Sequence, residues 1–410
     1  MTQKEKRLEN IREDFVIYTK YIQKTGMDLV YLDSASSSLT PNLVVEKMNE
    51  YYTEYRSNIE RSNFGLSQRA KTECDRARVQ IARLIGATPE EIIYTSGATD
   101  AANKIVDMIC NTGSGKTLRI LTSILEHHSI LVTLLEKKQQ LQYELDFFDI
   151  DSGGDIVLEQ FKKKIEEYKP DYVCMQYASN VTGAIYDINT YADIAHTQGA
   201  KLICDGSQAV GHVSVDVKSS NIDVLFFSGH KMLGPTGIGV LYIEQRMLET
   251  LKPTVFGGNA VVSVSKGGVI FQEGVKRFEP GTQHISGIIG LGAAAEYILD
   301  IGIEQIVKHT QTIHTYAMSQ LSSISRISLV SAPNNCGIIS FYFQHIHTHD
   351  VEALLSERGI AVRSGYHCAE RLVTEVIGKP LTRISIYVYT TQRDIDALVT
   401  ELKRISALFN

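Results

Sequence analysis

Four short segments carry residues whose types and order could do chemistry. Lys231 follows the apolar run Val224–Ser228 within Ser228-Gly229-His230-Lys231, and Gly234-Pro235-Thr236-Gly237-Ile238-Gly239 comes next. A lysine at the end of a buried strand loses solvation, so its pKa falls and its amine can form a Schiff base with a carbonyl. Asp205 ends a similar run, Leu202-Ile203-Cys204-Asp205-Gly206-Ser207-Gln208. A carboxylate at that depth needs a partner, because desolvating it alone is costly. In Tyr94-Thr95-Ser96-Gly97-Ala98-Thr99-Asp100 a strand runs into a helix. Free N–H groups and the helix dipole there suit one phosphate, although the same residues also read as an ordinary capped helix start. The fourth segment is Arg363-Ser364-Gly365-Tyr366-His367-Cys368-Ala369-Glu370. A cysteine beside Arg and His in a glycine-containing loop is placed to react as the thiolate.

A Schiff-base lysine, a carboxylate for a pyridine nitrogen and a phosphate cradle are together the requirements of pyridoxal 5'-phosphate. The elements that must position them alternate along the chain. β-Branched runs at 91–95, 119–122, 172–176, 201–205 and 224–228 are separated by stretches of helical period, which predicts an α/β fold with a large, mostly parallel sheet. In such sheets ligands bind beyond the carboxyl ends of the strands, where Asp205 and Lys231 fall. After about Leu291 the pattern becomes α+β: one long helix over 292–320, a strand at 337–343, a helix at 350–358, a strand at 383–387 and a final helix from Gln392. The expected division is a large cofactor-binding domain, 31–291, and a smaller α+β domain formed by 1–30 and 292–410. The opening segment, roughly 5–23, is expected to pack on the latter.

The motifs D-G-S-Q-A at 205–209, S-G-H-K at 228–231 and G-P-T-G-I-G at 234–239 resemble the class V aminotransferase family. Within it they are similar to the short-loop (type II), SufS-like cysteine desulfurases, over nearly the whole chain. The resemblance implies fold type I and assigns each position a task. Lys231 holds the cofactor aldehyde and moves protons. Asp205 pairs with the pyridinium, Gln208 meets the phenolate oxygen, and His127 stacks on the ring and assists proton transfer. Ala98, Thr99, Ser228 and His230 hold the phosphate. Thr282 reaches the phosphate of a neighbouring subunit, which implies a homodimer. Arg383, with Arg363, receives the substrate carboxylate, for which a guanidinium fork is suited, and Asn180 sits between cofactor and carboxylate. Cys368 is the implied nucleophile that takes sulfur from L-cysteine, leaving alanine, and passes it to a sulfur-acceptor protein, as in iron–sulfur cluster assembly. Selenocysteine lysis, a biosynthetic C–S lyase, and a catalytically silent subunit of a sulfur-transfer assembly remain as alternatives.

Three segments depart from the family pattern. Glu60-Arg61-Ser62-Asn63-Phe64 stands where the family reads H-R-G-x-H, Cys368-Ala369-Glu370-Arg371 replaces C-A-x-P, and Gly281-Thr282-Gln283-His284 replaces G-T-P-N.

Composition narrows the setting. The 410 residues contain 41 Lys plus Arg against 47 Asp plus Glu, a net charge of −6, so no nucleic-acid partner is expected. No apolar run is long enough to span a membrane, and the charged start lacks the apolar core of a secretory signal. A cytoplasmic enzyme with no membrane partner is expected. Six scattered cysteines without a C-x-x-C pair argue against disulfides and zinc. Cys110–Thr117 ends like a P-loop but has Cys where the motif needs Gly, and reads as a helix-ending turn. His345, His347 and His349 alternate as if along the exposed edge of a strand, and no required metal is expected.

Overall fold

The computed structural model describes residues 8, 10–59, 62–111 and 116–409. A seven-stranded sheet contains β1 (Ile92–Thr95), β2 (Arg119–Thr122), β3 (Glu144–Phe147), β4 (Tyr172–Gln176), β5 (Lys201–Asp205), β6 (Val224–Ser228) and β7 (Gly239–Ile243). Their order across the sheet is β1-β7-β6-β5-β4-β2-β3. Only β7 runs against the others, pairing antiparallel with both β1 and β6. The central strands are buried on both faces, which explains why β6 and β7 read as unbroken Val, Leu, Ile, Phe and Tyr rather than as alternation.

Two helices entering from the carboxyl ends of strands matter for the site. They are α4 (Ala98–Cys110), after β1, and α5 (His128–Leu141), after β2. Around them lie α1 (Val16–Thr25), α2 (Asn42–Glu54) and α3 (Gly65–Leu84). The long helix expected over 292–320 is two helices, α6 (Ile285–Ile301) and α7 (Ile303–Leu321), bent by 76° at Gly302. Gly302 adopts φ 90°, a region open to glycine, and its N–H closes α6 onto Ile298 O. The apolar α6 is buried against α2 and α3, whereas α7 packs along α8 (Gln392–Leu408). Among the described residues no single helix is long and apolar enough to cross a membrane.

A second sheet, antiparallel throughout, has the order β8 (Ile327–Val330), β9 (Ile338–Phe343), β11 (Leu381–Ser385), β10 (Arg363–Gly365). The strand expected at 383–387 therefore begins and ends two residues earlier. The opening segment meets this half of the chain through Arg12, which pairs with Asp394 and donates from Nε to Tyr389 O at 2.8 Å. Phe15 packs edge-on against Tyr297 and Tyr389.

The histidine tract is not a strand edge. Strand β9 stops at Phe343, and His347 caps the helix Thr348–Ser356 by accepting from His349 N–H. Cys110 ends α4 as a helix-ending turn requires, while residues 112–115 of the P-loop-like segment lie outside the described residues. So do Glu60 and Arg61 of the altered 60–64 segment; Phe64 immediately precedes α3 and is exposed.

Candidate active site

The carboxyl ends of β1, β2, β5 and β6 converge, and local turns aim their side chains at one space. After β6 the chain makes a 3-10 turn, Gly229–Lys231, which directs Lys231 inward. Ser228 Oγ accepts from Ala98 N–H at 2.8 Å, stitching the end of β6 to the first residue of α4. That helix is capped by Gly97, which has no side chain to offer, so beyond Ala98 it supplies no cap to the N–H groups of Thr99 and Asp100. Gly239 lets β7 pass beneath it, since a Cβ there would lie 2.6 Å from Gly97 Cα.

Ala98, Thr99, His127, Asn180, Ser228, His230, Lys231, Arg363, Cys368 and Arg383 line one cavity of about 380 Å³. Asp205 and Gln208 stand one bond behind its wall. Asp205 Oδ1 accepts from Ser207 N–H at 2.9 Å and Oδ2 from Ser129 Oγ at 3.4 Å, and both serines line the cavity. Gln208 Nε2 donates to Ala35 O, also on the wall, at 2.8 Å. Thr282 is exposed and does not line this cavity.

Burial sets the electrostatics. It lowers the Lys231 pKa and raises that of Asp205. It pushes His127 down to about 3, helped by Lys231, so the ring is neutral at pH 7. Ser129 N–H donates to His127 Nδ1 at 3.0 Å, which leaves the proton on Nε2. His230, at about 4, and His367, at about 2, are neutral for the same reason, His367 being further depressed by Arg383 and Arg363.

Cys368 differs from the other cysteines. It alone of the six is exposed, while burial pushes the thiols of Cys74 and Cys336 up to about 12 and Cys110 to about 11. The loop presenting it is held from two sides. His128 N–H donates to Cys368 O at 2.8 Å, and Asn180 Nδ2 donates to His367 O at 2.6 Å. His367 and Cys368 both sit at positive φ, 52° and 54°, a strained backbone for non-glycine residues.

Sequence reasoning missed three contributors. Glu126, between β2 and α5, is fully buried; its carboxyl accepts from Ser123 Oγ at 3.0 Å, and Oε2 has no hydrogen-bond partner among the described residues. Burial, with Asp205 adding to it, raises its pKa to about 8. Ser129 links His127 to Asp205. The segment 33–39 forms a strap over the site. Ala35 N–H donates to Ser385 Oγ at 2.8 Å, Leu39 N–H to Tyr389 OH at 3.0 Å and Ser38 N–H to His230 O at 2.8 Å. A run of small residues, Ser34 to Ser38, was the available signal.

The model of the aminotransferase class-V family matches residues 30–398. The chain belongs to that family. A "probable cysteine desulfurase" of Halalkalibacterium halodurans is 37% identical over 385 residues, covering 94% of this chain and 95% of the relative. A cysteine desulfurase of Escherichia coli is 34% identical, covering 98% of each. Among solved structures, the apo cysteine desulfurase of Thermococcus onnurineus superposes with a TM-score of 0.91 at 32% identity, covering 97% of this chain and 98% of that one. The E. coli cysteine desulfurase CsdA, in an S-sulfonic acid form, gives 0.90 at 31%, covering 98% and 99%. This class-V enzyme is therefore of fold type I and depends on pyridoxal phosphate.

The residues present fit that cofactor. Among the described residues the walls keep buried polar atoms without protein partners, Asn180 Oδ1, Ser207 Oγ and Arg383 Nε, as a site built for a polar ligand must. Lys231, Asp205 and the helix start at Ala98 stand around one volume that takes an amine-reactive aldehyde, a ring nitrogen and a phosphate.

Proposed function

We propose that this enzyme removes sulfur from L-cysteine, yielding L-alanine and a persulfide on Cys368 that a sulfur-acceptor protein then collects. The observation carrying this reading is that the single exposed cysteine lines the same cavity as Lys231.

When bound, pyridoxal phosphate supplies a carbonyl for the substrate amine and a ring that accepts the electron pair released at Cα. Asp205 would hold the ring nitrogen, Gln208 the phenolate oxygen, and Ala98, Thr99, Ser228 and His230 the phosphate. Arg383, with Arg363 and Asn180, orients the substrate through its carboxylate. Lys231 Nζ would hold the cofactor aldehyde and, as the amine nearest the substrate, would take the Cα proton and return a proton to the alanine carbon skeleton. His127, neutral with its proton on Nε2, would stack on the ring and assist that transfer. The Cys368 thiolate forms an S–S bond with the substrate sulfur as the Cβ–S bond breaks. The electron pair of that bond stays with the carbon, so carbon is reduced by the two electrons that oxidise the pair of sulfurs.

The reading extends to a homodimer. Thr282 projects to solvent beside an exposed ribbon, Val261–Ser265 paired with Gly268–Phe271, whose Val262, Val264 and Ile270 are each more than 60% exposed. Apolar exposure on that scale favours a partner. We take 31–291 as the cofactor-binding unit and 1–30 with 292–410 as the smaller one. The brief turn from β10 to Glu370 supports the short-loop, SufS-like kind, and six unpaired thiols suit a reducing cytoplasm.

Peptide mapping by mass spectrometry after cysteine treatment is the test. Added sulfur is expected on Cys368 and on none of the other five cysteines. Alanine release with no label on Cys368 would instead support the C–S lyase alternative.

A further inference from the structure

Arg363 and Arg383 come from adjacent antiparallel strands and stand directly opposite each other in the register of β10 and β11. Side chains so paired share a face, and two guanidiniums there repel unless a carboxylate intervenes. Asp33 is that carboxylate. It accepts from Arg363 Nε at 3.2 Å and Nη2 at 3.0 Å, and lies 3.5 Å from Arg383 Nη2. Both arginines line the cavity and Asp33 does not, so it touches them from behind.

Its position is fixed by the backbone. Asp33 bridges to Ser385 beside β11, Leu32 N–H donates to Ala361 O at 2.9 Å, and Ser385 N–H to Leu32 O at 2.8 Å. Asp33 leaves Nη1 of Arg363 and Nε of Arg383 unused, and the latter is buried without a partner among the described residues. Within the cluster of Arg363, Arg383 and Asp33, two guanidiniums and one carboxylate leave one net positive charge, facing Lys231 and Cys368 across the same cavity. The neighbouring imidazoles of His127 and His367 are neutral and add none.

We propose that Asp33 sets the charge capacity of the substrate wall, matching it to one carboxylate and disfavouring amino acids that carry a second. Asp33 acts through the two arginines and is a positioning residue. The proposal rests on the reading that Arg363 and Arg383 receive the substrate carboxylate.

The test measures dissociation constants of L-alanine and L-aspartate for the holoenzyme from the change in cofactor absorbance. Asp33→Asn raises the wall to two positive charges, so the preference for alanine over aspartate should fall roughly tenfold. Asp33→Glu should keep the native ratio. Arg363→Gln lowers the wall to no net charge, so the ratio should move the opposite way, and this arm stands if Asp33→Asn does not fold. A ratio unchanged within twofold in both Asp33→Asn and Arg363→Gln overturns the proposal. Sulfur mapping on the native chain separates the two readings: no label on Cys368 with a shifted ratio defeats the desulfurase reading alone, and label with an unshifted ratio defeats the charge proposal alone.

Discussion

Replacing Glu126 with glutamine should change how stability depends on pH while leaving cofactor binding in place. The folded chain holds the Glu126 proton up to about pH 8, whereas an unfolded glutamate releases it near its ordinary value of 4.5. Between those limits the folded state binds the extra proton, so this group makes stability fall as pH rises, with little effect outside the window. The displacement from 4.5 to about 8 corresponds to roughly 5 kcal/mol in total, or about 1.4 kcal/mol per pH unit. The residue is 1% exposed, so solvent screening takes little from that figure. Glu126→Gln keeps the shape and the acceptor for Ser123 Oγ but has no proton to lose. Unfolding midpoints of both holoenzymes, followed by denaturant titration from pH 5.5 to 8.5, should diverge up to about pH 8 and level off beyond it, the variant gaining on the native chain toward alkaline pH. The cofactor absorbance should match, because Glu126 does not line the cavity. Parallel midpoint curves across the range would refute the argument and show that the buried carboxyl is ionised in the folded chain.

Three further outcomes are expected. Lys231→Ala should lose the native cofactor absorbance band, and a spectrum unchanged by the substitution would place the cofactor elsewhere. Cys368→Ala should keep that band and still show a spectral response to cysteine, while alanine release falls at least tenfold because no thiolate remains to take the sulfur; native release rates in this variant would remove Cys368 from the reaction. On the acid side, His127, His212 and His230 stay neutral when folded, down to about pH 3 to 4, whereas unfolded histidine protonates near 6.5. The unfolded state thus takes up protons first, and stability should drop as pH falls from 6.5 towards 4; a midpoint that does not move over that interval would contradict the burial argument.

What could be read from the sequence was local. Asp205 ends an apolar strand and Lys231 follows one by three residues, so their chemistry and the frame that positions them lie in one short window. Asp33 gave no such signal, because its meaning depends on Arg363, 330 positions away. Glu126 was visible only as a neighbour of His127; its isolation comes from burial beside Gln176 and Asp205, which end β4 and β5. The direction of β7 was also hidden, since a strand buried on both faces reads alike whichever way it runs. Gly302 lay inside a helical pattern, where one glycine is tolerated, and its role as a corner follows from α6 and α7 having different partners. The histidine tract misled because alternation over five residues fits a strand end and a helix cap equally well.

The strap over the site has a consequence for how the enzyme is made. Ala35 reaches its anchor Ser385 across 350 residues, Leu39 reaches Tyr389 across the same span, and Ser34 reaches Tyr389 across 355. A ribosome adding about 5–20 residues per second takes roughly 20 to 70 seconds to cover that distance. Over the later part of that interval, once Lys231 has been added, the nascent chain carries Lys231 and Asp205 on a sheet that can already fold, while the segment that closes their chamber is held from the sheet side alone, by Ser38 to His230 and Ala35 to Gln208. The chamber is completed only when the last strand of the small sheet emerges, so translation that halts before Leu381 yields a product with the reactive lysine and no closed pocket around it.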